Sequence, residues 1–186
     1  MSVEITLDAS SLFQDSLPVH PDELTSELRT LKIQFEQFDH PPLKTVEDSK
    51  AYREGMLTRH EGGGHIKNLY LRDHKKHNFL AVIQEDREVN LKELAVLMHS
   101  GRLSFGSEDR LLENLGVRPG AVTPLSMITG VHKGVKLAID SDLFQMAKIY
   151  SHPLVNDRTI SMAPEEMNKY LEYLGVQPIK LNFANR

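Results

Sequence analysis

The chain contains no cysteine, which removes disulfides, thiol nucleophiles and thiolate metal sites together. It also lacks any unbroken apolar run near the roughly 20 residues that a membrane-spanning helix needs. Its first residues, MSVEITLDAS, have neither the basic nor the apolar stretch of a secretory signal, so a cytoplasmic location without a membrane partner is expected. Positive charge is not in excess. A net charge of -4 argues against indiscriminate nucleic-acid binding and against DNA as a partner, yet a local basic patch can still hold one defined phosphate backbone.

Several catalytic signatures are missing too. There is no GxSxG elbow and no Walker loop, and the one glycine cluster, GGGHIK, enters a strand pattern where a dinucleotide fingerprint would open a helix. HEGGGH at 60–65 superficially resembles a zinc-protease motif. Its histidines are five apart across three glycines, however, and that site requires two histidines four apart on one helical face. His74 and His77 read as turn residues with no third ligand nearby. An enzyme built from these residues is expected to work with no metal, no redox cofactor and no covalent thiol, so the cofactor expectation is none.

What is present fits one ordinary domain. The chain has 186 residues, 40% hydrophobic and 26% charged, enough to bury a substantial core without being membrane-spanning or disordered in bulk. Residues 1–21 carry little periodic signal and read as a short leader, with the domain proper over 22–186. DELTSELRTLKI, capped by Asp22, is an amphipathic helix. Ile33 and Phe35 open a strand that ends at Pro41 and Pro42. Thr45 and Asp48 form a capping-box pattern at the start of a helix reaching Met56. NFLAVIQED returns as a buried strand, NLKELAVLMHSG is a helix capped by Asn90 and stopped by Gly101, RLSFGS is extended, and SEDRLLENLG is a capped helix. Ser126 to Asp142 suggests further strands, IYSHPLVNDRTISM a hairpin, PEEMNKYLEYLG a terminal helix with Pro164 in its first turn, and KLNF a last strand. No repeat or linker divides the chain. The fold class is therefore α+β, a single domain with a mixed, mostly antiparallel central sheet flanked by helices.

The most informative stretch runs from Glu61 to Asp73, EGGGHIKNLYLRD. Three glycines free the backbone, and the alternation that follows delivers Lys67 to the mouth of a sheet, beside bare peptide that a ligand can approach. Alone, this stretch reads as a hairpin turn with a solvated lysine. The second Gly/Pro-rich loop, GAVTP from Gly120 to Pro124, and the histidine of YSHPLVN shift the reading towards a site.

Taken together, GGHIKNLYLRD, GRLSFGS, RLLENLGVRPGAVTPL and HPLVNDRTI resemble the YbaK and prolyl-tRNA synthetase-associated family of trans-editing aminoacyl-tRNA deacylases, most closely the free-standing branch acting on alanyl-tRNA(Pro). The resemblance spans roughly Leu28 to Gly175. It implies a YbaK-like fold and ester hydrolysis that maintains translational fidelity, with the tRNA(Pro) acceptor end as partner and prolyl-tRNA synthetase as a further one. Lys67 looks like the family's essential lysine and Asn68 like its pocket-side amide. The resemblance implies that the backbone amides of Gly120, Ala121, Val122, Thr123 and Pro124's loop grip the terminal adenosine and ester, with Lys67 and Gly120 catalytic. It further implies that His152 binds substrate, and that Arg102, with Lys67, contacts the tRNA.

The chemistry is consistent with that implication. An aminoacyl ester is already activated, so orienting a water and stabilising the oxyanion suffice, and an ammonium with loop amides can do both. Lys67 could instead hold the terminal phosphate. Arg59, Arg72, Lys75 and Lys76 are candidate phosphate contacts, and Met56, Leu57, Ile66, Leu69 and Val122 candidate pocket walls. A cysteinyl-tRNA(Pro) deacylase, a non-catalytic tRNA- or synthetase-binding module and a small-molecule hydrolase are the alternatives.

Overall fold

A computed structural model of the chain describes residues 7–184. In chain order its main elements are α1 (Pro21–Thr30), β1 (Glu36–Asp39), α2 (Val46–Lys50), β2 (Gly63–Asp73), β3 (Asn78–Gln84), α3 (Leu91–Leu97), β4 (Leu103–Phe105), α4 (Glu108–Leu115), α5 (Met127–Gly130), β5 (Lys136–Asp140), β6 (Lys148–Ser151), β7 (Arg158–Met162), α6 (Pro164–Tyr173) and β8 (Ile179–Leu181). The strands form one sheet in the order β1-β7-β6-β2-β3-β5-β8, with β4 also paired to β2. Antiparallel and parallel pairings are mixed, as the α+β reading expects: β2 runs antiparallel to β3 and β4 but parallel to β6, and β5 lies parallel to both β3 and β8.

The β2–β3 register decides which residues go where. Tyr70 lies opposite Leu80 and Asn68 opposite Val82, so this face joins the larger core with Leu24, Leu28, Leu115 and Tyr170. Leu71 lies opposite Phe79 and Leu69 opposite Ala81, and this face packs under α3 with Leu94 and Met98. Strand alternation thus places Lys67 and Asn68 on opposite faces of the sheet.

Four local expectations change. The cap of α1 is His20, not Asp22: the His20 Nδ1 accepts from the Asp22 amide at 3.2 Å, Glu23 reaches back to the His20 amide, and Pro21 takes the first helical position. The helix expected as far as Met56 stops at Lys50, although its Thr45–Asp48 capping box forms. Beyond it Arg53 leaves helical register to pair with Glu85, and Gly55 turns with φ +80°. The strand expected from Ile33 begins at Glu36, while Ile33 itself is buried in the larger core. Before β5, the region expected to be strand forms helical turns instead, started by the Thr123 hydroxyl accepting from the Leu125 amide.

The expected leader lies partly outside the described residues. From Ala9 onward it is packed on the body: the Ala9 carbonyl accepts from the Asn156 amide at 2.8 Å, and Ser11 donates to Asp157 through both its amide and its hydroxyl. No helix among the described residues is long and apolar enough to cross a membrane.

Candidate active site

β2 is longer than its neighbours on one edge. Gly63–His65 pair with β6, Leu71–Asp73 pair with β4, and Tyr70's carbonyl accepts from the Gly106 amide. Between them Ile66–Leu69 have no strand on that side, since β3 occupies the other. A cavity of about 250 Å³ opens there. An open edge is where consecutive residues from opposite faces can line one space, and Lys67 and Asn68 both do so, with Gly120, Val122 and His152.

The glycines that begin β2 are required by close approach. A Cβ on Gly63 would sit 2.0 Å from the Leu57 carbonyl oxygen, and one on Gly64 would sit 2.9 Å from the Lys148 carbonyl oxygen. The bare backbone read from the sequence therefore receives protein, and the open space begins at His65.

The 120–124 loop faces the gap. Gly120 adopts φ +94°, a left-handed conformation that glycine accepts without penalty. The Asn68 amide nitrogen donates to the Val122 carbonyl at 2.8 Å and so ties the loop to the open strand edge. Ala121's amide is committed to the Arg118 carbonyl, but among the described residues the amides of Gly120, Val122 and Thr123 donate to no acceptor. Unpaired backbone donors beside a cavity are suited to a developing negative charge. Ala121, Thr123 and Pro124, expected at the substrate, turn their side chains into the interior; only Gly120 and Val122 of the loop line the cavity.

Lys67's ammonium donates to the Arg87 carbonyl, its one hydrogen-bond partner among the described residues. That acceptor is neutral. The lysine's charge is thus uncompensated by a carboxylate, and two of its three N–H donors remain available. Close by, Arg53 meets Glu85 in a bidentate pair at 2.6 and 2.7 Å, with a further bond to the Ser49 hydroxyl. The Glu85 side chain is 5% exposed, so breaking this pair would strand a buried charge.

His152 holds the Arg158 carbonyl through Nδ1 at 2.8 Å. Burial lowers its pKa, with a contribution from His40, while the Arg158 contact opposes this. A neutral ring whose Nδ1–H is donated leaves Nε2 as an acceptor. His65, also on the cavity wall, stacks on Tyr150 with ring centroids 4.6 Å apart and contacts the Leu57 carbonyl through Nε2 at 2.8 Å. Burial lowers its pKa as well. The Tyr150 hydroxyl accepts from the Leu57 amide at 2.7 Å. Among the described residues, two buried polar atoms on the cavity residues, Asn68 Oδ1 and Ser151 Oγ, have no hydrogen-bond partner.

Other expected contacts are not gathered here. Arg102 is exposed beside β4, and its carbonyl accepts from the His74 amide at the far end of β2. Asp73 stands six positions along the strand from Lys67, a span of about 20 Å. Lys75 and Lys76 lie in the exposed turn at that same end, Arg72 is half-buried there, and Arg59 is exposed before β2. His77 binds Asp73. Of the expected pocket walls, Met56, Ile66 and Val122 line the cavity; Leu69 packs in the α3-side core, and Leu57 contributes its backbone.

Arg53, Glu85, Ser49, Tyr150 and His65 were missed in the sequence. Tyr150 had a signal: it stands two residues before His152, on the same face of an extended segment. The Arg53–Glu85 pair had none, since 32 positions separate its members.

Residues 40–170 match the family model of the aminoacyl-tRNA editing domain. The chain is 36% identical over 166 residues to the prolyl-tRNA synthetase associated domain-containing protein 1 of Mus musculus, covering 87% of this chain and 95% of that one. It is 30% identical over 151 residues to the prolyl-tRNA editing protein ProX of Acetoanaerobium sticklandii, covering 81% and 89%. In fold it resembles the crystal structure of a candidate trans-editing enzyme for prolyl tRNA synthetase, with TM-score 0.63, 18% identity, and coverage of 87% of this chain and 95% of that one.

Proposed function

The chain belongs to the aminoacyl-tRNA editing domain family and is an aminoacyl-tRNA deacylase, and from that premise we propose that it hydrolyses the ester of mischarged alanyl-tRNA(Pro) in the cavity beside β2. The observation that carries this reading is the shared cavity itself, in which Lys67 and Asn68 of the open strand edge meet a loop whose two lining residues, Gly120 and Val122, have unpaired amides.

Water attacks the ester carbonyl, its oxygen bonding to the acyl carbon. The resulting oxyanion is stabilised by the Lys67 ammonium and by the amides at Gly120 and Val122. Collapse breaks the bond to the ribose oxygen, which leaves with a proton, so alanine and free tRNA are the products. No covalent enzyme intermediate is needed, because the substrate is already an activated ester. Asn68 holds the loop in place through Val122, and the neutral His152 ring accepts a hydrogen bond from the terminal nucleoside through Nε2.

A cavity of about 250 Å³ suits a small acyl group. It lies below the roughly 300–1,000 Å³ of common small-molecule sites. Rejection of the correct prolyl ester is part of the proposal, and a synthetase site cannot itself exclude a smaller side chain by more than about 1–3 kcal/mol per methylene, so a second site is needed. The acceptor end of tRNA(Pro) is the proposed RNA partner, with Arg102 and the basic turn after β2 meeting its phosphates, and the work is done in the cytoplasm alongside prolyl-tRNA synthetase.

Initial rates on alanyl-, cysteinyl-, seryl- and prolyl-tRNA(Pro) test the reading. Fastest release of alanine with no release of proline supports it. Faster release of cysteine assigns the chain a different substrate, and tRNA binding without any turnover reduces it to a binding module.

A further inference from the structure

Lys67 cannot orient an ester unless its own ammonium is held, and the atom that holds it is a carbonyl in the turn after β3. That turn is fixed by a side chain facing away from the cavity. Arg87 donates from Nε to Asp140 Oδ2 at 2.7 Å and from its terminal nitrogen to Oδ1 at 3.4 Å, contacts Asp142 as well, and lies over the Phe183 ring at 4.5 Å. Asp140 is 1% exposed and sits at the end of β5. Its carboxylate also accepts from the amides of Gln84 and Asp142, each at 3.2 Å. One buried carboxylate thereby gathers the end of β3, the turn carrying Arg87, and the turn that follows β5.

We propose that the Arg87–Asp140 ion pair is a positioning device for Lys67: it fixes the Arg87 carbonyl, and through it the ammonium that meets the ester. This rests on the reading of Lys67 as the oxyanion-stabilising group. A lysine has a flexible four-carbon stem with large rotamer entropy, so an ammonium with no fixed acceptor spreads over many positions. A carboxylate acceptor would hold it too, but would neutralise the charge that the oxyanion needs. A clamped carbonyl orients the ammonium and leaves its charge intact. The sequence places the parts at 67, 87 and 140 with no shared motif, and nothing in the cavity lining includes Arg87 or Asp140.

Removing the clamp should alter the chemical step while leaving substrate capture intact. Small displacements of a reacting group can cost about 100-fold. Arg87→Met, which keeps the stem and removes the ion pair, is expected to lower kcat by about tenfold with KM changed less than about twofold, and Arg87→Lys, which restores a cation over Asp140, to recover most of the loss. Combined with Lys67→Ala, Arg87→Met should cause no further loss of deacylation, because two groups acting as a unit are not additive. Thermal melts of each variant establish that the measured protein is folded. If methionine at 87 does not fold, Arg87→Gln carries the same test with the same expected split between kcat and KM.

Unchanged kcat in Arg87→Met, or an additional loss of the same size in the Lys67→Ala background, overturns the positioning role. Equal rates for wild type and Lys67→Ala overturn it together with the catalytic reading of Lys67. An inactive Lys67→Ala beside a fully active Arg87→Met removes the clamp alone.

Discussion

The two ends of β2 meet the rest of the protein under opposite conditions. At Leu71 and Arg72 the strand is paired on both edges, by β3 and β4, and Leu71 is fully buried. At Ile66–Leu69 one edge is bare, and Lys67 and Asn68 reach a cavity from opposite faces. On the proposed reading, one strand supplies stability where its hydrogen bonds are complete and chemistry where they are interrupted. An unpaired edge is ordinarily a liability. Here Asn68 ties the 120–124 loop beside it, and that loop brings its own unpaired amides.

Substitutions at the two ends should separate activity from stability. The largest effect is expected at the open end: Lys67→Ala should reduce single-turnover deacylation by at least about 100-fold, the scale for loss of one oxyanion donor, with the melting temperature little changed. A rate within a few-fold of wild type would erase the distinction. At the paired end, Leu71→Ala should cost about 2–5 kcal/mol in urea unfolding while activity per folded molecule stays intact.

The histidines of the two ends sharpen the comparison through pH. His152 at the cavity has its pKa lowered, chiefly by burial, so the imidazole stays neutral to below the usual histidine value of 6.5. Deacylation is expected to be level from pH 8 to 6.5 and to fall only in more acidic buffer, after correction for spontaneous ester hydrolysis; a decline that begins above pH 6.5 would contradict the neutral-ring role. At the paired end, burial works to raise the pKa of Asp73, but hydrogen bonds from the His77 ring and amide overcome it and hold the carboxyl at about 2. Because the folded value is depressed from 3.8, its stabilisation is complete above 3.8 and is lost as pH falls towards 2. Urea midpoints of wild type and His77→Ala should therefore differ at pH 5 and converge near pH 2.

The smallest effect belongs to Arg102, exposed about 20 Å along the strand from Lys67. Arg102→Ala should raise KM for aminoacylated tRNA a few-fold, reduce its salt dependence, and leave kcat unchanged. A fall in kcat would move Arg102 into the catalytic end.

Much of this contrast could be read from the residues alone, because it follows from local rules. Strand alternation around Lys67, the turn residues of GAVTP, the Asn90 and Ser107 caps and the β6–β7 hairpin all formed where periodicity and capping placed them. What escaped depended on contacts distant in sequence. The helix after Thr45 ends early because Arg53 is drawn to Glu85, and the segment before β5 forms helical turns because Leu125 and Met127 are drawn into the larger core. The Lys67 side chain could be placed at a sheet's mouth, but its acceptor, the Arg87 carbonyl, is chosen by an ion pair 53 residues apart in sequence.

A crystal structure with a non-hydrolysable 3′-alanylamide of adenosine tests the central claim most directly. The account predicts the amide in the cavity beside Ile66–Leu69, its carbonyl oxygen within hydrogen-bonding distance of Lys67 Nζ or of the amides at Gly120 and Val122. An analogue seated outside that cavity, or inside it with the carbonyl turned from both, would contradict it.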